Sequence, residues 1–321
     1  MKKKLNSPQG HLKIELWNVG HGTAVSLVTP EDQIVLFDLG KHYFPKSTGS
    51  YKSFSPLQHI LRKYPSKVIS ALFITHPHMD HLDDLPLFFE EGLHRSLKHF
   101  YRPEKIPNKI LDELLRKAIY QKLYSKRYTE VLAKYRELDK LYKKPYIRKH
   151  SPLNSKNNGG VEFEVFRPIK AAESDIDAHS LVTIVSYAGW KMLIPGDNTK
   201  RSWRELMKRT DFRKSLQEVN FFLTPHHARR NALYSPLMEF MKPDLIFVSD
   251  KAVGPTNASD TYRKFAKGYP VFKKDSPISG ELRKCLTTRK DNKIQIIISE
   301  EFDPRVNVFA INANSKGQLA R

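Results

Sequence analysis

One short stretch of this chain concentrates side chains that bind metals. In "FITHPHMDHLDD", residues 73–84, the residues His76, His78, Asp80 and His81 follow an apolar run. Alternate side chains of an extended strand end point the same way, so His76 and His78 can reach one ion together. Asp80 and His81 can face a second point after the chain turns. Imidazole and carboxylate ligands suit Zn²⁺, Mn²⁺ or Fe²⁺, so the spacing predicts a metal site.

The two carboxylates that close the stretch have another interpretation. Asp83 and Asp84 stand where a helix is expected to begin. Negative charge is favourable at a helix N-terminus. We therefore predict helix-start charges here and not metal ligands.

Further ligand candidates follow other apolar runs. A carboxylate at Asp197, in "LIPGDN", could bridge two ions. Asp38, in "LFDLG", suits the role of orienting the histidine loop by hydrogen bonds. The remaining candidates are His226 and His227 in "LTPHHARRN", and Asp177 and His179 in "DIDAHSLV".

The elements that must position these residues alternate between strand and helix patterns. Apolar, β-branched runs predict strands at 12–19, 23–29, 33–40, 67–76, 161–168, 180–187, 191–196, 219–225, 243–249, 293–299 and 306–312. Helical spacing is found at 55–65, 200–208, 235–241 and 258–267. The pattern predicts an α/β protein whose ligands lie at strand ends, where open sheets place their sites.

Residues 100–150 interrupt the succession of predicted strands. Their apolar residues recur with helical period, which predicts two amphipathic helices inserted into the domain. The segment carries 15 Lys and Arg against 6 Asp and Glu, a net charge of +9. It is either a pair of helices with solvated outer faces or a basic arm that contacts phosphates.

Composition bounds the class of protein. The 321 residues carry a net charge of +21, more than solubility requires, which points to an anionic partner. Cys285 is the only cysteine, so neither an internal disulfide nor a cysteine-held zinc is possible. The chain has no apolar run long enough for a membrane span, and its basic N-terminus lacks the apolar region of a secretory signal. We expect one domain over 1–321, in the cytoplasm and without a membrane partner.

The combined motifs resemble a known family. The order His-x-His-x-Asp-His, then Gly196-Asp197, then a late His227 resembles the metallo-β-lactamase fold hydrolases. More narrowly, the chain is similar to the metallo-β-lactamase domain of the ComEC DNA-uptake proteins. The motifs that carry this narrower resemblance are "VGHGT" (19–23), "FDLG" (37–40), "SLV" (180–182) and "HHAR" (226–229).

The resemblance implies an αββα sandwich with two divalent ions, Zn or Mn, at one edge of its sheets. His76 and His78 would bind one ion, Asp80 and His81 the other, with Asp197 bridging and His227 completing the second site. His179 would complete the first site, with Asp177 as the rival. Asp80 and Asp197 would be the catalytic carboxylates, and Asp38 and His226 would support the ligands.

Three functions remain open at this point. The first is a nuclease that cleaves phosphodiester bonds, in DNA more than in RNA, with a metal-activated water. The second is a hydrolase of a small phosphodiester, a cyclic nucleotide or a lactone. The third is a nucleic-acid or protein-binding component of a larger complex. Cations expected just past strand ends are candidates for binding substrate: Lys200, Arg201, Arg229, Arg230 and Lys251.

Overall fold

The computed structural model describes residues 10–45, 51–103, 106, 108–120, 125–142, 151, 153–168, 175–250, 256–273 and 276–309. Its strands in chain order are β1 Leu12–Leu16, β2 Val25–Val28, β3 Ile34–Phe37, β4 His42–Pro45, β5 Tyr51–Phe54, β6 Ile69–Phe73, β7 His99–Tyr101, β8 Glu162–Phe166, β9 Val182–Tyr187, β10 Trp190–Ile194, β11 Phe221–Leu223, β12 Leu245–Val248, β13 Tyr269–Lys273, β14 Ser276–Arg283, β15 Cys285–Thr287, β16 Lys293–Ile298 and β17 Arg305–Phe309.

The helices, again in chain order, are α1 Pro56–Lys63, α2 Met79–Leu82, α3 Leu85–Glu90, α4 Leu93–Ser96, α5 Asn108–Tyr120, α6 Ser125–Leu141, α7 Lys200–Leu206, α8 Thr210–Leu216, α9 Ser235–Met241, α10 Ser259–Arg263 and α11 Thr288–Asp291. Short 3-10 helices lie at Ser155–Asn157, Asp177–His179 and Pro225–Ala228.

The strands form two large sheets and a small hairpin. One sheet has nine strands in the order β14-β13-β17-β16-β1-β2-β3-β6-β7, and the other has six in the order β15-β12-β11-β10-β9-β8. The hairpin pairs β4 with β5. Strand β6, next to the edge strand β7, pairs in parallel with both β3 and β7, so its carboxyl end lies beside the end of β3.

Three apolar cores hold the two sheets against each other and the helices against the outer faces of the sheets. Between the sheets, side chains such as Ile14, Phe73 and Phe221 are fully buried. A second core joins the other face of the nine-stranded sheet to α1, α3 and α6, and a third joins the six-stranded sheet to α7, α8, α9 and α10. Helices therefore cover both outer faces, and the predicted αββα architecture is confirmed.

The predicted basic helices are also confirmed, as α5 and α6. The apolar stripe of α6 is buried, with Val131 and Leu138 fully covered by the core on which α3 also packs. The insertion is thus built into the helical layer beside the histidine loop. Within the described residues, no helix combines the length and apolarity that crossing a membrane requires.

Local capping residues stabilise helix α1. Ser55 accepts a hydrogen bond from the Gln58 backbone N–H at 2.9 Å, and Pro56 occupies the first turn. Lys63 in the last turn reaches Glu15 of β1 at 3.1 Å. Glu15 is only 1% exposed and is also 3.3 Å from Lys293 of β16, so one buried carboxylate ties α1 to two strands.

Candidate metal centre

The ligand candidates meet where strands of both sheets end. The loop after β6 carries His76, and the residue after β3 is Asp38, whose backbone N–H bonds to Phe73 O at 2.8 Å. Across the sandwich, Asp197 follows β10 and His227 follows β11. The sequence prediction that these residues lie at strand ends agrees with this placement.

One group of ligand atoms joins the histidine loop to the 3-10 helix Asp177–His179. His76, His78 and Asp177 each offer an atom, and these atoms lie within 4.8 Å of one another. Asp177 Oδ1 is 3.0 Å from His78 Nδ1 and 3.6 Å from His76 Nε2. His179 is described but belongs to none of the ligand groups, so the structure brings Asp177 to this position and leaves His179 outside it.

A second set of atoms surrounds Asp197. Its Oδ1 is 3.5 Å from His81 Nε2, and its Oδ2 is 3.9 Å from His76 Nε2 and 3.6 Å from His227 Nε2. Asp80 Oδ2 lies 3.1 Å from His227 Nε2. The Asp197 carboxylate therefore faces both halves of the cluster at once, as a bridging ligand must.

His21 is a member of the centre that sequence reasoning missed. It forms a ligand group with Asp80 and His227, lies 3.6 Å from Asp80 Oδ2, and packs its ring 4.3 Å from that of His227. Its side chain is 45% exposed, so it lies at the mouth of the cluster. The only available signal was an imidazole in the turn "VGHG", which joins two strands.

Hydrogen bonds behind the ligands set the direction of their rings. His81 Nδ1 donates to Asp38 Oδ2 at 2.6 Å, and His227 Nδ1 donates to the Ser249 carbonyl at 2.9 Å. Asp38 also accepts from the N–H and hydroxyl of Thr75, at 2.7 and 2.8 Å. Each bond commits Nδ1 and leaves Nε2 facing the cluster, as in metal-binding histidines. Asp38 thus occupies the supporting position that the sequence predicts.

The buried atoms of the cluster fit a divalent cation. His81 Nε2 is buried and has no hydrogen-bond partner in the described part of the chain. The carboxylate oxygens nearest to it are those of Asp197 at 3.5 Å and Asp80 at 3.8 Å. A mixed set of imidazole and carboxylate donors such as this one suits a divalent cation.

Carboxylates and imidazoles within the cluster stabilise each other's charged forms. Burial disfavours the ionised carboxylate, yet His81 and His227 hold the pKa of Asp197 well below its usual range. Burial likewise disfavours a charged imidazole, but Asp197, Asp38 and Asp80 raise the pKa of His81 well above its ordinary value. A cation that binds His81 Nε2 must therefore displace a proton, which makes its binding pH-dependent.

The backbone around the centre is strained. His226, His227 and Ala228 have positive φ angles of 49°, 53° and 60°, and Asp38 has 56°. Such conformations cost about 1–3 kcal/mol each and persist where surrounding structure enforces them, often at functional sites. Gly22 is required for a related reason, because a Cβ there would overlap the Asp80 carbonyl oxygen.

The other predicted residues lie around this cluster. His226 Nδ1 is 3.6 Å from Asp177 Oδ2, beside the ligands. Burial and the charge of His227 lower the pKa of His21 to about 4, and Arg229 adds a smaller contribution in the same direction. Arg230 follows Arg229, and Lys200 begins α7 with an exposed side chain. Lys251 lies outside the described residues.

Asp83 and Asp84 belong to none of the ligand groups. Asp84 occupies the N-cap position of α3, but its side chain makes no capping hydrogen bond. It accepts a bond from the Ser55 hydroxyl and lies 3.4 Å from Lys41 Nζ instead. Burial raises its pKa to about 6, against the effect of these two partners. Its main contacts are therefore tertiary.

No protein-family model and no curated protein matches this chain. Solved structures do match it. The metallo-β-lactamase fold protein YhfI from Bacillus subtilis is 12% identical, with 79% of this chain and 92% of that one covered and a TM-score of 0.41. A metallo-β-lactamase superfamily protein from Sulfolobus tokodaii is 14% identical, with 78% and 85% covered and a TM-score of 0.35.

A diphosphatase from the PhnP family is 12% identical, with 90% of this chain and 99% of that one covered and a TM-score of 0.41. Similarity at this level carries no argument about substrate or activity. The fold of this chain follows from its own layers, and its chemistry from its own ligand atoms. Those layers form an αββα sandwich with the candidate ligands at its strand ends.

Proposed function

We propose that this protein is a metal-dependent hydrolase, and specifically a nuclease that cleaves DNA phosphodiester bonds with two Zn²⁺ or Mn²⁺ ions. One observation carries the proposal: the Asp197 carboxylate lies 3.9 Å from His76, 3.5 Å from His81 and 3.6 Å from His227. A single carboxylate can thus serve two ions. When bound, such a pair supplies an activated water and positive charge for the attacking and leaving oxygens.

The chain's own residues divide the remaining work. His76, His78 and Asp177 would hold one ion, and Asp80, His81 and His227 the other, with Asp197 shared. Asp38 and the Ser249 carbonyl keep the Nδ1 protons of His81 and His227 in place. Asp80 Oδ2 lies between His227 and the partly exposed His21, and we assign it the role of orienting the attacking water or accepting its proton.

Charge favours a polyanion as the substrate. The chain carries +21, and Arg229 and Arg230 follow the ligand His227 directly. Phosphate contacts from such residues supply most of the affinity that proteins have for nucleic acid without sequence preference. DNA is preferred to RNA only through the sequence resemblance to the ComEC domain.

A hydrolase of a small phosphodiester, such as a cyclic nucleotide, is the second candidate. In its favour, part of the insertion's positive charge is already neutralised by neighbouring carboxylates. Several cations in the described part of the insertion already pair with carboxylates: Arg102 with Asp139, Arg136 with Asp112, and Lys134 with Glu137. Cations engaged in this way have less charge to offer a phosphate backbone.

One assay separates the two candidates. Purified protein with Mn²⁺, Mg²⁺ or Zn²⁺ is incubated with labelled single- and double-stranded DNA and RNA, and separately with bis(p-nitrophenyl) phosphate. We expect DNA cleavage that falls by about 100-fold or more in His78→Ala and Asp197→Ala, because each loses a ligand. His11→Ala, an exposed histidine outside the centre, is the control and should retain activity.

Hydrolysis of the small diester without cleavage of any nucleic acid would favour the second candidate. Absence of hydrolysis with every metal and substrate would remove both.

A further inference from the structure

Helix α6 of the insertion touches the histidine loop directly. The Tyr128 hydroxyl donates to the carbonyl of Pro77, the residue between His76 and His78, at 3.1 Å. Arg127, the preceding residue, donates from Nε to Asp83 Oδ1 at 2.9 Å and from Nη2 to the Asp83 carbonyl at 2.6 Å. Two neighbouring residues of one helix thus hold the loop on both sides of His78, Asp80 and His81.

The loop has little internal support of its own. Its only helix, α2, is four residues long, and its N-cap residue His78 makes no side-chain capping bond. A single uncapped turn is not stable by itself, because the first turn costs more conformational entropy than its hydrogen bonds return. External contacts must therefore set the directions in which His78, Asp80 and His81 point.

The body of the protein supplies part of this support through backbone bonds. The Thr23 N–H donates to the Asp80 carbonyl at 3.2 Å, and the Leu39 N–H donates to that of His81 at 2.7 Å. Both donors belong to turns beside the nine-stranded sheet. The opposite side of the loop is held by α6, so the loop lies between the sheet and the insertion.

The buried packing of helix α6 holds Tyr128 in position for its contact with the histidine loop. Tyr128 is 6% exposed, and Val131 and Leu132 on the next turn are fully or almost fully buried. Burial raises the pKa of Tyr128, so its hydroxyl keeps its proton and stays a donor. Asp83 is 3% exposed, so its bond to Arg127 is largely shielded from water.

We propose that the helical insertion is a positioning element for the metal centre, in which Tyr128 and Arg127 hold the histidine loop so that its ligands converge. These two are positioning residues, since each would act on the ligands through another residue of the loop, Tyr128 through Pro77 and Arg127 through Asp83. The role differs from the phosphate-binding arm that the insertion's charge suggests, because Arg127 is engaged by Asp83. It extends the proposed function and needs only that the centre binds metal.

The test measures metal affinity, which does not depend on any substrate. Protein stripped of metal is titrated with Zn²⁺ or Mn²⁺ against a competing chelator, and its stability is measured separately by urea unfolding. We expect Tyr128→Phe and Arg127→Gln each to weaken metal affinity by about 10-fold, the effect typical of residues that orient ligands. Tyr128→Phe keeps the buried ring, so folding is preserved.

Two matched variants control for general destabilisation. Tyr142→Phe removes a hydroxyl that donates to the His94 and Leu97 carbonyls, and Arg136→Gln breaks a pair between α6 and α5. Both changes lie away from the histidine loop. We expect them to leave metal affinity unchanged even where they lower stability.

Unchanged affinity in both Tyr128→Phe and Arg127→Gln would overturn the inference while leaving the metal centre intact. Wild-type protein that binds no divalent ion would overturn both the inference and the proposed function. A loss of affinity that matches the controls would show that the contacts act only through stability, and would also overturn it.

Discussion

Asp177 and His179 lie on one 3-10 helix, and the Asp177 carboxylate lies 3.0 Å from His78 Nδ1, whereas His179 belongs to none of the ligand groups. Asp177 is held ionised there: burial acts against it, but the hydrogen bond from His78 and the charge of His76 lower its pKa. An ionised carboxylate is the form that binds a cation. This geometry therefore favours Asp177 over His179 as the residue that would complete the first site.

A paired substitution tests that assignment. We expect Asp177→Asn to lower metal affinity by about 10- to 100-fold, because a neutral amide replaces a charged ligand, whereas His179→Ala changes it little. Bound metal per chain, measured by mass spectrometry after dialysis, distinguishes the two variants. Loss of metal from His179→Ala with full binding by Asp177→Asn would reverse the assignment.

Much of the centre could be predicted from residue type and position alone. His76, His78, Asp80, His81, Asp197 and His227 were placed at strand ends by the apolar runs before them, and the structure brings them together. His21 could not be found in this way, because the sequence does not show which connecting turn folds over the centre. The choice between Asp177 and His179 depended on the direction of each side chain on a short 3-10 helix.

At the scale of elements, Glu15 connects α1, β1 and β16. Burial favours its neutral form, but Lys293 and Lys63 outweigh this and lower its pKa below 4.5. A carboxyl group with a depressed folded-state pKa contributes stability above its unfolded pKa. That contribution is lost as the pH falls through the folded value.

Glu15→Gln should therefore destabilise the protein in a pH-dependent way. We expect the free energy of unfolding to fall by about 2 kcal/mol at pH 7, a typical value for a hydrogen bond to a charged group. The difference from wild type should shrink at acid pH, once the pH falls below the lowered folded-state pKa of Glu15 and both proteins lack the charge. Urea unfolding at neutral and at acid pH measures it, with Glu162→Gln on the exposed side of β8 as control. A difference that does not vary with pH would contradict the ionic explanation.

The secondary-structure elements differ in how far their own sequences predict them. Buried strands such as β3 and β6 are continuous apolar runs and are confirmed where the sequence predicts them. The β13–β14 pair and the three-residue strands β7 and β15 were not predicted. β14 contains Pro277 and Gly280 and is an edge strand, so its pairing follows from tertiary context and not from local composition.

At the scale of the whole molecule, the net charge of +21 leads us to expect that the proposed binding to nucleic acid would be sensitive to salt. Each phosphate neutralised contributes about −0.9 to the slope of log K against log salt for double-stranded DNA. We expect a slope steeper than about −3, and a reduction of about 1 in Arg229→Gln. Fluorescence anisotropy with metal-stripped protein measures binding without cleavage.

Lys98→Gln is a suitable control, because Lys98 precedes β7, which runs parallel to β6, and so lies near the amino ends of these strands, away from the carboxyl ends that carry the metal centre. It should leave the slope unchanged. A shallow slope for wild-type protein would argue against a polyanionic substrate and favour the small phosphodiester.

The contacts from Tyr128 and Arg127 to the histidine loop bear on protein engineering. A designer who grafts "HPHMDH" onto another sheet edge would transfer the ligands without the helix that holds Pro77 and Asp83. We therefore do not expect the motif alone to form the metal centre in another protein. A transplanted centre would need the loop, the first turn of α6 and the stretches that supply Asp177, Asp197 and His227, and the loop and the α6 turn should be varied together in any library.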